Sequence, residues 1–195
     1  FKGVGVKMNF KNKKPLYILE EIAEILRSEN GCAWDKKQTF DSLKPYLIEE
    51  AYETFDAIES GNTDHMKEEL GDLLLQIYLH AQIAKEQNEF TIDDVAKGIS
   101  EKLIRRHPHV FGDENVDDAN DIIKNWEKIK QKERGHKKSI LSGVPSQLPA
   151  LLMAYRVQQK VARLGFDWEK IEDIFDKIDE EVLEFKELFV SGTLD

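Results

Sequence analysis

Two short acidic clusters, Glu49-Glu50-Ala51-Tyr52-Glu53 and Glu69-Leu70-Gly71-Asp72, are the part of this chain whose residue types and spacing could do chemistry. In each, two carboxylates stand three residues apart, and on a helix of 3.6 residues per turn that spacing puts both on one face. Two such helices packed antiparallel would aim four carboxylates, Glu50, Glu53, Glu69 and Asp72, at one point. Like charges so close in a partly dry site repel unless protons or cations neutralise them, and an all-oxygen ligand set suits a hard cation such as Mg²⁺. A chain with 38 acidic residues among 195 also produces Glu-x-x-Glu spacings on solvated faces, so the argument turns on where these acids lie relative to the core.

The elements that must position them read as helices. Residues 42–60 carry an apolar stripe of Leu43, Leu47, Ala51, Phe55 and Ile58, and Glu50 falls beside that stripe instead of opposite it. In the partner segment Met66, Leu70, Leu73, Leu74, Ile77, Ala81 and Ala84 make the expected buried face, with Glu69 and Asp72 on its shoulder. Asn30-Gly31 ends a helix running from Leu16 to Arg27, and Gly61-Asn62 separates the two acidic helices, the second reaching about residue 89. Thr91, with Asp93 and Asp94 in the first turn, starts a further helix that reaches Arg106 and must stop before Pro108. Residues 110–121 read as a loop, and a charged helix follows over 120–134, ending at Gly135. No strand period is present, so the expected fold is all-α.

Composition narrows the function classes. Lysine and arginine (28) against aspartate and glutamate (38) leave a net charge of −10, which disfavours general nucleic-acid affinity and means that a polyanionic substrate would need cations at its site. A single cysteine, Cys32, excludes an internal disulfide framework and fits a reducing compartment. No apolar run is long enough to span a bilayer, so no membrane role is expected and the cytoplasm is the expected location. Neither a dinucleotide fingerprint nor a Walker-type phosphate loop occurs. The chain begins with Phe1, and residues 1–14 are basic, glycine-containing and aperiodic, a tail or linker.

The end of the chain echoes its beginning. The stretch from Leu16 through Gly31-Cys32-Ala33-Trp34-Asp35 has a diverged counterpart from Leu151 through Gly165-Phe166-Asp167-Trp168, and Glu49-Glu50-x-x-Glu53 recurs as Glu180-Glu181-x-x-Glu184. Two helical modules of one ancestry are the simplest account. The expected organisation is a first module over 15–112, a linker with a charged helix over 113–147, and over 148–195 a second module lacking the Glu-x-x-Asp half of its acid set.

Taken in order, Gly31-Cys32-Ala33-Trp34-Asp35 with Gln38-Thr39, Glu49-Glu50-x-x-Glu53, Glu69-Leu70-Gly71-Asp72, Arg105-Arg106-His107-Pro108-His109-Val110-Phe111-Gly112-Asp113 and Trp126-x-x-Ile129-Lys130 resemble the MazG family of nucleoside triphosphate pyrophosphohydrolases. Ala33 stands where the family usually has proline, which changes loop stiffness and removes no chemical group. The resemblance implies a four-helix-type module completed by dimerisation, which cradles Mg²⁺, or Mn²⁺, and a nucleotide. It implies cleavage of a nucleoside triphosphate to monophosphate and pyrophosphate. By motif position the metal ligands would be Glu50, Glu53, Glu69 and Asp72; Lys102 and Arg106 would meet the phosphates, and Trp126 would lie near the nucleotide. Glu49 or Glu53 could orient the attacking water. The residues themselves leave Lys102 and Arg106 readable as surface charge, and Trp126 as a packing anchor.

Two rival classes frame that expectation. A di-iron bundle would need Glu-x-x-His pairs in the core helices, and the one instance, Glu133-Arg134-Gly135-His136, sits at a helix end away from the acidic pair. A non-catalytic helical module that only dimerises within a larger protein is the other.

Overall fold

The structure, a computed structural model, describes residues 13–112, 118, 122, 125, 126, 129, 130, 132, 133, 141–163, 165–168 and 170–190. Every regular element among them is helical, as the sequence pattern predicts. They fall into two compact units, residues 1–105 and 106–195.

The first unit holds α1 (Pro15–Arg27), a single 3₁₀ turn (Asp35–Lys37), α2 (Phe40–Ser60), α3 (Thr63–Glu86) and α4 (Ile92–Arg106), whose last residue falls across the boundary. Pro15 opens α1 with its φ already helical and with no N–H to satisfy. After α1 the chain folds back so tightly that a Cβ on Gly31 would sit 2.2 Å from the Ile25 carbonyl oxygen, so only glycine fits there. Arg27 fixes the loop that follows. Its side chain is 6% exposed, it donates to both carboxylate oxygens of Glu86 at 2.9 and 2.8 Å, and it donates to the carbonyls of Asp35 and Gln38. Those hydrogen bonds hold the Glu86 carboxyl below its ordinary range.

Thr39 then starts α2 with a reciprocal cap: its hydroxyl accepts from Ser42 N–H at 3.1 Å while Ser42 Oγ accepts from Thr39 N–H at 2.9 Å. Gly61, at φ 66°, closes α2 in the left-handed conformation, and the Asn62 side chain accepts from the backbone N–H groups of Asp64 and His65 to start α3. With only Gly61 and Asn62 between them, α2 and α3 form an antiparallel hairpin, and α1 packs on α3. Ala23, Leu43, Tyr78, Leu79 and Ile83 form the buried centre, with Leu19, Phe40, Leu74, Leu75 and Ile92 against it.

The buried faces differ from the expected stripes. On α2 the inward line is Leu43, Leu47, Glu50, Thr54 and Ala57, whereas Ala51, Phe55 and Ile58 are exposed. On α3, Leu70 and Ile77 are exposed while Gln76 and Gln82 are buried. Each helix carries apolar residues on two sides, and the chain's own packing uses the side that includes Thr54 and Gln76. No residue of α4 is buried.

The second unit contains α5 (Pro108–Phe111), α6 (Ala150–Ala162) and α7 (Ile171–Val190). The segment expected to be a loop from residue 110 thus begins inside a short helix that Pro108 opens. The described residues between 122 and 133 are helical; the rest of the expected 120–134 helix lies outside the described residues.

Candidate functional site

The hairpin geometry determines which acids meet. Glu50 precedes Gly61 by eleven residues and Asp72 follows it by eleven; Glu53 precedes it by eight and Glu69 follows it by eight. At an equal rise per residue on both arms, each pair stands at the same height above the turn. A hydrogen bond from the Thr54 hydroxyl to the Glu69 carbonyl, 3.3 Å, holds that register.

Carboxylate oxygens of Glu50, Glu69 and Asp72 all lie within 4.8 Å of one another. Glu50 and Glu69 are half-buried and Asp72 is exposed, so the group opens to solvent on one side. Glu53 is exposed and stands outside this closest set, yet near enough that its charge acts on Glu50. Burial pushes the Glu50 carboxyl above its usual range, and the negative charges of Asp72, Glu53, Glu69 and Glu49 push it further. Those acids supply negative charge and oxygen donors. A divalent cation would offset this crowding of negative charge, and an all-oxygen donor set fits a hard metal ion.

Of the remaining expected residues, Arg106 and Trp126 come together in a second group. In the second unit, Arg106 donates through Nε and Nη2 to Glu133 at 3.1 and 2.6 Å, with side chains only 18% and 22% exposed. The Arg106 guanidinium lies 5.8 Å from the Trp126 ring centre and Lys130 Nζ lies 4.2 Å from it. Trp126 Nε1 is buried without a hydrogen-bond partner among the described residues. Lys102, half-buried on α4, makes no hydrogen bond or ion pair among the described residues.

Two features escaped sequence reasoning. Trp34 and Tyr46 meet edge to face with ring centres 5.8 Å apart, both exposed, and Tyr46 sits one helical turn before Glu50. His65 Nε2 lies 3.1 Å from Glu69 Oε1. The signal for both was available: Tyr46 and Glu50, like His65 and Glu69, are four apart on one helix.

Residues 38–111 match the MazG nucleotide pyrophosphohydrolase domain, a span that contains Glu49, Glu50, Glu53, Glu69 and Asp72 together with Lys102 and Arg106. The chain belongs to the MazG family. It is 55% identical over 170 residues to the nucleoside triphosphate pyrophosphohydrolase/pyrophosphatase MazG of Thermotoga maritima, covering 87% of this chain and 65% of that protein. Over 156 residues it is 45% identical to the nucleoside triphosphate pyrophosphohydrolase of Escherichia coli, covering 79% of this chain and 59% of the relative. An uncharacterized Bacillus subtilis protein, YabN, is 54% identical over 154 residues, 76% of this chain and 32% of that one. The chain therefore spans less than two thirds of these relatives. Among solved structures, a mazG-related protein from Thermotoga maritima superposes with a TM-score of 0.50 at 27% identity, covering 58% of this chain and 97% of that one.

Proposed function

We propose that this MazG chain hydrolyses nucleoside triphosphates to the monophosphate and pyrophosphate in a Mg²⁺-dependent reaction, clearing unwanted nucleotides from the cytoplasmic pool. The observation that carries the reading is the convergence of Glu50, Glu69 and Asp72 oxygens within 4.8 Å on the two hairpin helices. Its support is the family: the relatives named above include nucleoside triphosphate pyrophosphohydrolases.

Glu50, Glu69 and Asp72, with Glu53 completing the set from the next turn of α2, would hold Mg²⁺, and Mn²⁺ could substitute. When bound, the metal would neutralise phosphate charge and acidify a water molecule. Glu49 or Glu53, both exposed on the same helix, would accept a proton from that water and orient it. The substrate brings more negative charge to a chain already at −10, so cations must receive it. Lys102 and Arg106, four apart on one helix, serve that role, with Arg106 exchanging its Glu133 partner for phosphate. Trp126 contacts the nucleotide, and the exposed Trp34 and Tyr46 rings offer a flat surface suited to a base.

The chain works as a homodimer. Ile48, Tyr52, Phe55 and Ile58 on α2 and Leu70 and Ile77 on α3 are all at least 40% exposed, apolar side chains of the kind a second copy covers. No described helix is long and apolar enough to cross a membrane, and nucleic acid is a poor partner for so acidic a chain.

Phosphorus NMR of the chain incubated with Mg²⁺ and each triphosphate tests the reading. Monophosphate and pyrophosphate are expected. Diphosphate with orthophosphate would overturn the bond assignment, and no turnover with any triphosphate would favour a module that only assembles.

A further inference from the structure

We infer that His65 is a positioning residue that fixes the Glu69 carboxylate for metal binding. The inference rests on the reading of Glu50, Glu69 and Asp72 as metal ligands. His65 lies in the first turn of α3, where the Asn62 side chain accepts its backbone N–H at 3.2 Å, so its main chain is pinned. Its ring reaches one turn along α3, and Nε2 stands 3.1 Å from Glu69 Oε1.

A histidine and a glutamate four apart on an open helix face contribute little, and this pair differs in its acceptor. The Glu69 side chain is 12% exposed, whereas His65 is 44% exposed, so the histidine is the solvent-side member and the carboxylate the enclosed one. Glu69 is also the residue whose carbonyl receives the Thr54 hydroxyl across the hairpin. Its backbone is thereby tied to α2 and its carboxylate to His65. With Nε2 only 3.1 Å from Oε1, the imidazole restrains the carboxylate whose oxygen meets those of Glu50 and Asp72. Without His65, Glu69 can turn away from the like charges of Glu50 and Asp72, whose oxygens lie within 4.8 Å. Hydrogen bonds to ligating carboxylates typically hold about 10–100-fold in metal affinity.

The neighbouring Lys67 provides a control. It pairs with Asp64 at 3.0 Å on the exposed face of the same turn, with both side chains more than three-quarters exposed, so Lys67→Ala removes a nearby cation without touching Glu69. The test is direct Mn²⁺ binding followed by electron paramagnetic resonance, on the parent, His65→Ala, His65→Gln and Lys67→Ala, with the metal-free melting temperature of each. His65→Ala is expected to bind Mn²⁺ about tenfold more weakly. His65→Gln, which keeps an N–H donor on a side chain of similar reach, recovers most of the affinity, Lys67→Ala matches the parent, and metal-free melting is unchanged throughout. Parent-like Mn²⁺ affinity in His65→Ala overturns the proposal alone, as does a His65→Gln variant no better than the alanine. No Mn²⁺ uptake by the parent overturns the metal reading and this proposal with it.

Discussion

The acidic motif of α2 recurs in α7 and meets a different fate there. In α7, Glu180 and Glu181 share the ammonium of Lys177 at 2.8 and 3.2 Å, and those two carboxylates hold the Lys177 ammonium above its ordinary range. In α2, the position matching Lys177 is Tyr46, so Glu49 and Glu50 have no cation from their own helix one turn earlier. Instead Glu50 faces Glu69 and Asp72 across the hairpin, and its carboxyl is pushed up by burial and like charge. The α2 acids thus differ from their α7 counterparts in two ways: no lysine of their own helix stands one turn before them, and a Glu-x-x-Asp faces them at the matching height.

Breaking the hairpin set should have the largest effect. Glu50→Gln, Glu69→Gln and Asp72→Asn should each lower triphosphate turnover by about 10²–10³-fold, the size expected when several kcal/mol of metal-derived stabilisation is lost. Glu181→Gln, in the lysine-paired copy, should leave turnover within about twofold, as for most exposed ion pairs. Pyrophosphate release measures both. Equal losses in the two regions would end the distinction.

Converting one region into the other sharpens the comparison further. Tyr46→Lys places an ammonium three and four residues before Glu49 and Glu50, as Lys177 stands before Glu180 and Glu181. It should raise the Mg²⁺ concentration needed for half-maximal turnover roughly tenfold, since the lysine competes for the same carboxylates. An unchanged Mg²⁺ requirement would mean that Tyr46 is not near enough to matter.

Lys102→Ala and Arg106→Ala should reduce turnover of every triphosphate by roughly tenfold each, the loss of one charge-assisted phosphate contact. Trp126→Ala should act mainly on KM. Should all three leave both parameters alone, the Arg106, Glu133 and Trp126 group is structural.

The smallest expected effect is on metal-free stability. Because the folded Glu50 carboxyl holds its proton more tightly than the unfolded one, the folded state binds more protons over that range. Stability should then fall as pH rises from the ordinary value of 4.5 through the raised folded value, and stay reduced above it. Glu50→Gln removes that loss. Its metal-free melting temperature at neutral pH should exceed the parent's by roughly 2–4 °C, and saturating Mg²⁺ should reverse the order. A variant less stable than the parent without metal would contradict the charge argument.

How much of this was legible in the sequence follows from which contacts are local. The end of α2 and the start of α3 were readable because Gly61 and Asn62 cap their own neighbours, whereas α3 stops at Glu86, short of the expected residue 89. The acids were readable by spacing within each helix. Which face of each helix turns inward was not, because Phe55, Ile58, Leu70 and Ile77 look as apolar as any core stripe, while polar Thr54 and Gln76 fill the contact. An apolar stripe does not say whether its partner lies in the same chain. Nor was the pairing of Arg106 with Glu133 readable, since it spans 27 residues and depends on tertiary packing.

The most direct test of the central claim is anomalous scattering from crystals of the protein grown with Mn²⁺ and a non-hydrolysable triphosphate. The account predicts a Mn²⁺ peak within coordination distance of Glu50, Glu69 and Asp72, with phosphate oxygens completing its shell, and none at Glu180, Glu181 and Glu184. A hairpin without Mn²⁺ while the nucleotide is bound, or a peak at the α7 acids instead, would contradict it.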